Sequence, residues 1–423
     1  MPTIQRCARL VTLQLLFASV CSLAVLGEDI SLVTPETVGL SSAKLAEVDS
    51  AVQQLVKDKK IPGGVILVAR KGRIAYLKSF GKKDLASDAP MTADTIFRIY
   101  SMSKAITSAA AMMLVDEGKL DLDDPISKHI PEFVDVKIHS ESGSTRPTRP
   151  PTVRDLLRHT AGLTYGIFGN SPVDQQYRAA GILSPADSVE VMAAKVGKLP
   201  LEYDPGTSWK YSVSSDVLGR VVEVASGQKF GNFLQERIFT PLGMADTGFH
   251  VPDSKLSRFS TNYNSNGSGI LTPIDVPVSS TYRKKKTFES GGGGLVSTIR
   301  DYYQFLLMIS QGGKIGSTQF LSAESIKLMT TNQVPNTTGW IRFGDEIREG
   351  VGFGLGFSVR SKMSDWDSGG RLGEYGWGGA ASTHYWVSPK DDLIVITMEQ
   401  VMPYSFLTEF AVKKLIYDSI ESP

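Results

Sequence analysis

The stretch GGVILVARKGRIAYLKSFG, residues 63–81, constrains the fold more than any other segment. Two runs rich in β-branched and aromatic residues, Val65 to Ala69 and Ile74 to Ser79, flank Lys71-Gly72, which reads as a hairpin turn. A lone hairpin is only marginally stable in water and needs further strands or a helix on its apolar face. Comparable strand character returns only near the other end of the chain, at Gly354 to Arg360, Thr383 to Ser388 and Leu393 to Met398. Between these regions the pattern is mostly helical, over 101–116, 152–158, 213–226, 229–238, 298–310 and 322–330. One further helix, 41–57, precedes the hairpin with Leu45, Val48, Val52 and Leu55 on one side; another, 406–420, follows Pro403. Strands at both ends with helices inserted predict an α+β fold. An antiparallel sheet is built from both chain ends and flanked by helices, and the insertion forms a mostly helical lobe. The expected division is 28–97 plus 350–423 for the sheet lobe and 98–349 for the helical lobe, with ligands at the interface. STRPTRPP, 144–151, reads as a stiff linker because proline fixes φ, and the glycines 291–294 read as a loop.

Composition excludes several classes. The 423 residues are 41% hydrophobic and 21% charged, with a formal net charge of +1, so no global basic field points to nucleic acid. The one basic run, Arg283 to Lys286, reads as a solvated loop. Residues 1–27 have the form of a secretory signal: Arg6 and Arg9, then an uncharged apolar run over 10–26, then Gly27 before Glu28 and Asp29. Both cysteines, Cys7 and Cys21, fall in that leader, so neither a disulfide nor a thiol nucleophile is expected beyond it. No later stretch reaches the apolar length of a membrane span, and an exported chain, periplasmic or secreted, is expected. The five histidines, at 129, 139, 159, 250 and 384, lack zinc-site spacing, and no phosphate loop or dinucleotide fingerprint is present; no cofactor or metal is expected. Oligomeric state is not legible.

FRIYSMSKAIT, 97–107, carries the chemistry. Ser101 and Lys104 are three apart at the start of a helix whose next eleven residues are uncharged. Residues at that spacing share a helix face. Beside so apolar a helix the lysine should be buried, and burial lowers a lysine's pKa, so it can manage the serine's proton. A second Ser-x-x-Lys, Ser41 to Lys44, reads instead as a helix cap with an exposed lysine. Tyr211, in WKYSVSSDVLG, can serve a proton shuttle beside an ammonium. Gly376, Gly378 and Gly379 allow close backbone approach, and the Ala380 N–H can complete an oxyanion hole with that of Ser101.

FRIYSMSKAIT, PTVRDLLRHTAGL, YDPGTSWKYSVSSDVLG, FLQERIFTPLGMADTGF, GGGGLVSTIRDYYQFL, VGFGLGF and EYGWGGAAST occur in that order over roughly 35–420. Together they resemble the serine β-lactamase-like superfamily of class C β-lactamases, DD-peptidases and family VIII carboxylesterases. The resemblance implies that Ser101 is the acylated nucleophile and Lys104 its base partner. It places the second-motif tyrosine on Tyr211, the third motif on Trp377-Gly378-Gly379 and the oxyanion amides on Ser101 and Ala380. His159 would have a structural role. Two departures matter: Val213 stands where class C lactamases have an asparagine that holds the lactam side chain, and Trp377 and Gly378 stand where they have lysine and threonine. Losing that cation and those donors disfavours an anionic lactam, and an aromatic wall suits an uncharged ester. The expected activity is an exported serine carboxylesterase for short acyl esters, acting through an acyl-serine. The alternatives are a β-lactamase or D-amino-acid peptidase with the same machinery, then a transacylase, then an inactive binding protein.

Overall fold

The computed structural model describes residues 31–421; the expected signal peptide, 1–27 with Cys7 and Cys21, lies outside the described residues. The hairpin forms as read. β1 (Gly63–Arg70) and β2 (Arg73–Asp84) are joined by Lys71 and Gly72, both at positive φ, the geometry that matches strand twist in a two-residue turn. β3 (Ala89–Pro90) pairs beyond β2.

The other five strands come from the C-terminal part: β4 (Val351–Phe353), β5 (Ser358–Arg360), β6 (Tyr375–Gly379), β7 (Thr383–Ser388) and β8 (Leu393–Glu399). They join the hairpin in one eight-stranded sheet of order β4-β5-β6-β7-β8-β1-β2-β3, with every described pairing antiparallel. The two chain ends meet where β1 pairs β8, Val65 opposite Met398 and Arg70 opposite Leu393. Alternate residues serve two cores. Val65, Leu67, Ile394 and Ile396 pack on one face with helices α2 (Ser103–Asp116) and α5 (Ile299–Ser310). Ile66, Val68, Leu393 and Val395 pack on the other with α1 (Ser42–Lys57) and α6 (Leu407–Asp418). A sheet covered on both sides reads as a continuous apolar run, which is why all eight residues of β1 are buried.

The expected strand 354–360 is strand only over Ser358–Arg360; its first four residues are a turn that joins it to β4. The Gly354 N–H bonds the Phe357 carbonyl, and Gly356 sits at φ 108, a conformation that breaks a strand. A Cβ at Gly354 would lie 2.1 Å from the Met329 carbonyl oxygen, so VGFGLGF encodes a tight corner. The first residues of the expected linker are also strand, Gly143–Thr145 paired with Ile138–Ser140. The helix expected from 101 begins as a 3-10 turn over Tyr100–Met102, and α2 proper starts at Ser103. The expected helix 229–238 is α-helical over Phe230–Leu234 and π-helical over Gln235–Phe239. Among the described residues no helix is long and apolar enough to cross a membrane.

Short α3 (Val153–Leu157) is bolted by Asp155. This fully buried carboxylate caps the helix through Thr152 and accepts from Arg149 (2.5 and 3.0 Å), Arg158 (3.1 Å) and Thr160 (2.7 Å). α3 packs against α4 (Ser214–Ser226), the helix that follows Tyr211, so the network fixes where the segment after α3 begins.

Candidate active site

Ser101 sits in the 3-10 turn that leads into α2. Its predecessor Tyr100 has φ +39, a strained value for a bulky residue, held while the Asn262 amide donates to the Tyr100 hydroxyl at 3.2 Å. The Ser101 side chain caps nothing; the helix start at Ser103 has no side-chain cap. The first Ser-x-x-Lys behaves as expected: the Ser41 hydroxyl caps α1 and Lys44 reaches exposed Glu47.

Lys104 is 1% exposed. Its ammonium donates to the Ser101 Oγ at 3.2 Å, the Tyr165 hydroxyl at 3.0 Å and the Gly292 carbonyl at 2.5 Å. An ammonium has three protons, and all three are engaged. The Tyr211 hydroxyl lies 2.5 Å from the Ser101 Oγ, and the Lys104 Nζ stands 4.5 Å from the centre of the Tyr211 ring. Ser101, Lys104 and Tyr211 therefore come together as the sequence reading expects. Such a cluster can take a proton from a serine hydroxyl and return it to a leaving oxygen.

The end of β6 lies against the turn carrying Ser101. A Cβ on Gly379 would be 2.4 Å from the Ile99 carbonyl oxygen, so only glycine permits this backbone approach. The approach places the amides of Ala380 and Ser101 one and two residues beyond that contact. Trp377, on the same face of β6, packs 5.5 Å from Tyr211 and edge-on to Phe353. Gly378 faces the other way, toward the Tyr404 hydroxyl and the His384 ring, so its position does not line the site. Val213, expected to touch substrate, has no exposed surface and packs in the core at the start of α4. That position is corrected to scaffold, because an apolar side chain at the helix start is drawn into the core.

His159 is 1% exposed and ringed by Tyr211, Trp209 and Phe353 at 5.1–5.9 Å. Burial, helped by the charge of Lys104, holds its imidazole well below the usual range, so it is a neutral packing group. Aromatic rings of Tyr165, Phe168, Trp209, Phe343 and Trp377 also surround Tyr211, at 5.3–6.3 Å. Ile167 and Phe168 expose apolar surface beside them, giving the rim an uncharged lip.

Three groups escape the sequence reading. Tyr165 follows the HTAGL segment and contacts Lys104 directly. Asp216, buried on α4, accepts from the Ser290 hydroxyl at 2.5 Å and the Gly292 amide at 3.0 Å. Its signal was a carboxylate among Val213, Val217 and Leu218 on an otherwise apolar face. Arg348 packs over Phe343 (4.3 Å) and Trp377 (5.8 Å) while pairing with Glu346 at 3.5 Å. It comes from a weakly patterned loop that offered no signal.

The glycines 291–294 form the loop that closes the lysine in. A Cβ on Gly291 would be 2.6 Å from the Ser215 carbonyl, and one on Gly292 would be 2.3 Å from an Asp216 oxygen. The basic run lies apart: Arg283 pairs with Asp253 and Lys286 covers the Tyr282 ring.

A family model described as Beta-lactamase matches residues 48–409. The chain belongs to the beta-lactamase family. An uncharacterised protein of Mycobacterium tuberculosis is 33% identical over 363 residues, covering 84% of this chain and 89% of that one. Esterase EstB of Burkholderia gladioli is 31% identical over 289 residues, 64% of this chain and 72% of its own. Among solved structures, EstCE1, titled a hydrolase with promiscuous acyltransferase activity, superposes with a TM-score of 0.75 at 26% identity. The match covers 89% of this chain and 98% of that one. This member of the beta-lactamase family is thus a serine hydrolase with the β-lactamase/transpeptidase-like fold, and its relatives include esterases.

Proposed function

We propose that this protein is an exported carboxylesterase acting on short, uncharged acyl esters through an acyl-serine. The observation that carries the reading is Ser101 within hydrogen-bond reach of both a buried Lys104 and Tyr211, opposite an aromatic wall with no lysine at position 377. In the proposed cycle the Ser101 Oγ attacks the ester carbonyl carbon, and a C–Oγ bond forms. The serine proton passes to the Lys104–Tyr211 pair, whose members lie 3.2 and 2.5 Å from the Oγ. The amides of Ser101 and Ala380 hold the oxyanion, each such donor being worth ~3–4 kcal/mol. The intermediate collapses as the C–O bond to the alcohol breaks, and Tyr211 returns the proton to the alkoxide. Water attacks the acyl carbon by the reverse relay, releasing the acid and restoring Ser101. Trp377, Phe343 and Phe168 offer apolar surface to the substrate.

The names of Esterase EstB and EstCE1 support ester chemistry. The EstCE1 title also supports a second reading, acyl transfer to an alcohol in place of water. Parallel assays with p-nitrophenyl butyrate and a chromogenic cephalosporin, each with a Ser101→Ala control, test the proposal. Ester turnover far above cephalosporin turnover, abolished by the substitution, is expected. The reverse order makes the enzyme a β-lactamase, and added butanol that outcompetes water for the acyl group, giving butyl butyrate in place of butyrate, makes it a transacylase. Fractionating the producing cell, with leader cleavage read by N-terminal mass, tests export.

A further inference from the structure

Behind Lys104, on the side away from Ser101, lies a second polar assembly that the acylation chemistry does not use. The Tyr165 hydroxyl accepts from the Lys104 ammonium, so its own proton is free to point elsewhere. Asp216 supplies the next acceptor. One of its oxygens holds the Ser290 hydroxyl and the Gly292 amide, while the other, Oδ2, is buried and faces the Tyr165 hydroxyl. Oδ2 and the Tyr165 hydroxyl converge on one spot: a Cβ at Gly292 would be 2.3 Å from the first and 2.7 Å from the second. The Gly292 carbonyl is itself an acceptor for Lys104, so Asp216 is tied to the lysine on two sides, at the phenol and at Gly292, whose N–H it holds.

We propose that Tyr165 and Asp216 form a positioning relay that holds the Lys104 side chain in place and aims it at Ser101. The proposal rests on the acyl-serine reading above and adds what positions its lysine. A buried carboxylate is costly unless a cation answers it, and the Lys104 charge acts on Asp216. The titratable groups facing Lys104 are Tyr165, on the segment after α3, Tyr211, before α4, Asp216, on α4, and His159, which packs on Tyr211. Burial raises Tyr165 well above its usual range, and the charge of Asp216 adds to that, so Tyr165 stays a phenol able to bridge. Burial also raises the Asp216 carboxyl, opposed by Lys104, Ser290 and Gly292. His159 is neutral and supplies no competing charge. Among the described residues, Asp216 is the carboxylate set against the lysine. Gly292 is glycine because any side chain there would be driven between the two relay members.

The experiment uses Asp216→Asn, Asp216→Glu, Tyr165→Phe and the double variant Asp216→Asn/Tyr165→Phe in the full chain. Two readouts are taken as functions of pH: kcat/KM for p-nitrophenyl butyrate and the rate of inactivation by a serine-directed phosphonate. Removing the carboxylate takes a negative charge from beside the Ser101–Lys104 pair, so the alkaline limb of both profiles moves to lower pH in Asp216→Asn. The pH-optimum value falls by roughly 10²-fold, as for other groups that steer proton transfer. Asp216→Glu, which keeps the charge, restores the alkaline limb. Tyr165→Phe shifts the limb in the same direction, and the double variant is no worse than the poorer single, because one path is cut twice.

Unshifted limbs in both Asp216→Asn and Tyr165→Phe, or losses that multiply in the double variant, overturn the relay. Should Asp216→Asn fail to fold, Tyr165→Phe decides alone by its alkaline limb. Failure of the underlying reading looks different: the wild type then gives no phosphonate adduct, or Ser101→Ala reacts as fast as the wild type.

Discussion

Gly379→Ala tests how closely β6 must approach the nucleophile turn. The added methyl carbon would stand 2.3 Å from the Thr383 Oγ1 and 2.4 Å from the Ile99 carbonyl oxygen. The threonine hydroxyl has no hydrogen-bond partner and can rotate away. The Ile99 carbonyl is backbone and cannot, so relief requires β6 and the 99–101 segment to separate by about 1 Å, the sort of misplacement that costs ~10²-fold in rate. Ala380 and Ser101 lie just beyond this contact, so the separation widens the gap between the two amides assigned to the oxyanion. We expect kcat for p-nitrophenyl butyrate to fall by roughly 10²-fold, near the loss of one oxyanion donor, with KM little changed because the interaction matures only in the transition state. Gly378→Ala is the control. Its methyl would meet the Tyr404 and His384 rings on the opposite face of the strand. It should lower thermal stability while losing less activity than Gly379→Ala. A Gly379→Ala enzyme with kcat within about threefold of wild type and an unchanged melting temperature would refute the reasoning.

Two further predictions concern stability. Asp155→Ala leaves Arg149 and Arg158 facing a buried site without their carboxylate and should cost about 3–5 kcal/mol in urea unfolding. Burial pushes the Asp155 carboxyl up, but the bonds from Arg149 and Thr160 outweigh it and hold it below its ordinary value. Its contribution is therefore complete above the unfolded-state pKa and is lost as pH falls through the lower folded value, so the penalty of the variant shrinks in acid. Glu399 behaves oppositely. Burial pushes its carboxyl up to about 8 against an ordinary value of 4.5, with only the Thr408 hydroxyl opposing. The native state keeps this proton while the unfolded chain releases it, so wild-type stability declines as pH rises across that window. Glu399→Gln should gain on the wild type between pH 5 and pH 8, and a constant difference across unfolding curves would contradict the assignment.

Much of the sheet was legible because its two halves carry strong, uninterrupted apolar runs, and a sheet buried on both faces allows no other reading of Val65 to Ala69 or Leu393 to Met398. The corner at Gly354–Phe357 was not, because the glycine spacing is set by the Met329 carbonyl, a contact distant in sequence. The same contrast holds at the site. Ser101 and Lys104 are local to one helix start, and Tyr211 is marked by its motif. Tyr165 and Asp216 owe their meaning to Gly292, which lies far from both in sequence; nothing local distinguished Tyr165 from a core tyrosine, and the apolar face around Asp216 marked it as buried without saying what it holds. Val213 shows the converse error: its motif position suggested a substrate contact, while its side chain simply obeys the core.

A covalent acyl group at Ser101 is the central expectation. Protein quenched with acid during turnover of p-nitrophenyl butyrate, digested and analysed by mass spectrometry, should carry one butyryl group on the peptide containing Ser101, more of it in Gly379→Ala if deacylation slows more than acylation. Ser101→Ala should carry none and show no turnover. Undiminished ester turnover by Ser101→Ala, or a butyryl group mapped to another residue and discharged at the turnover rate, would contradict it.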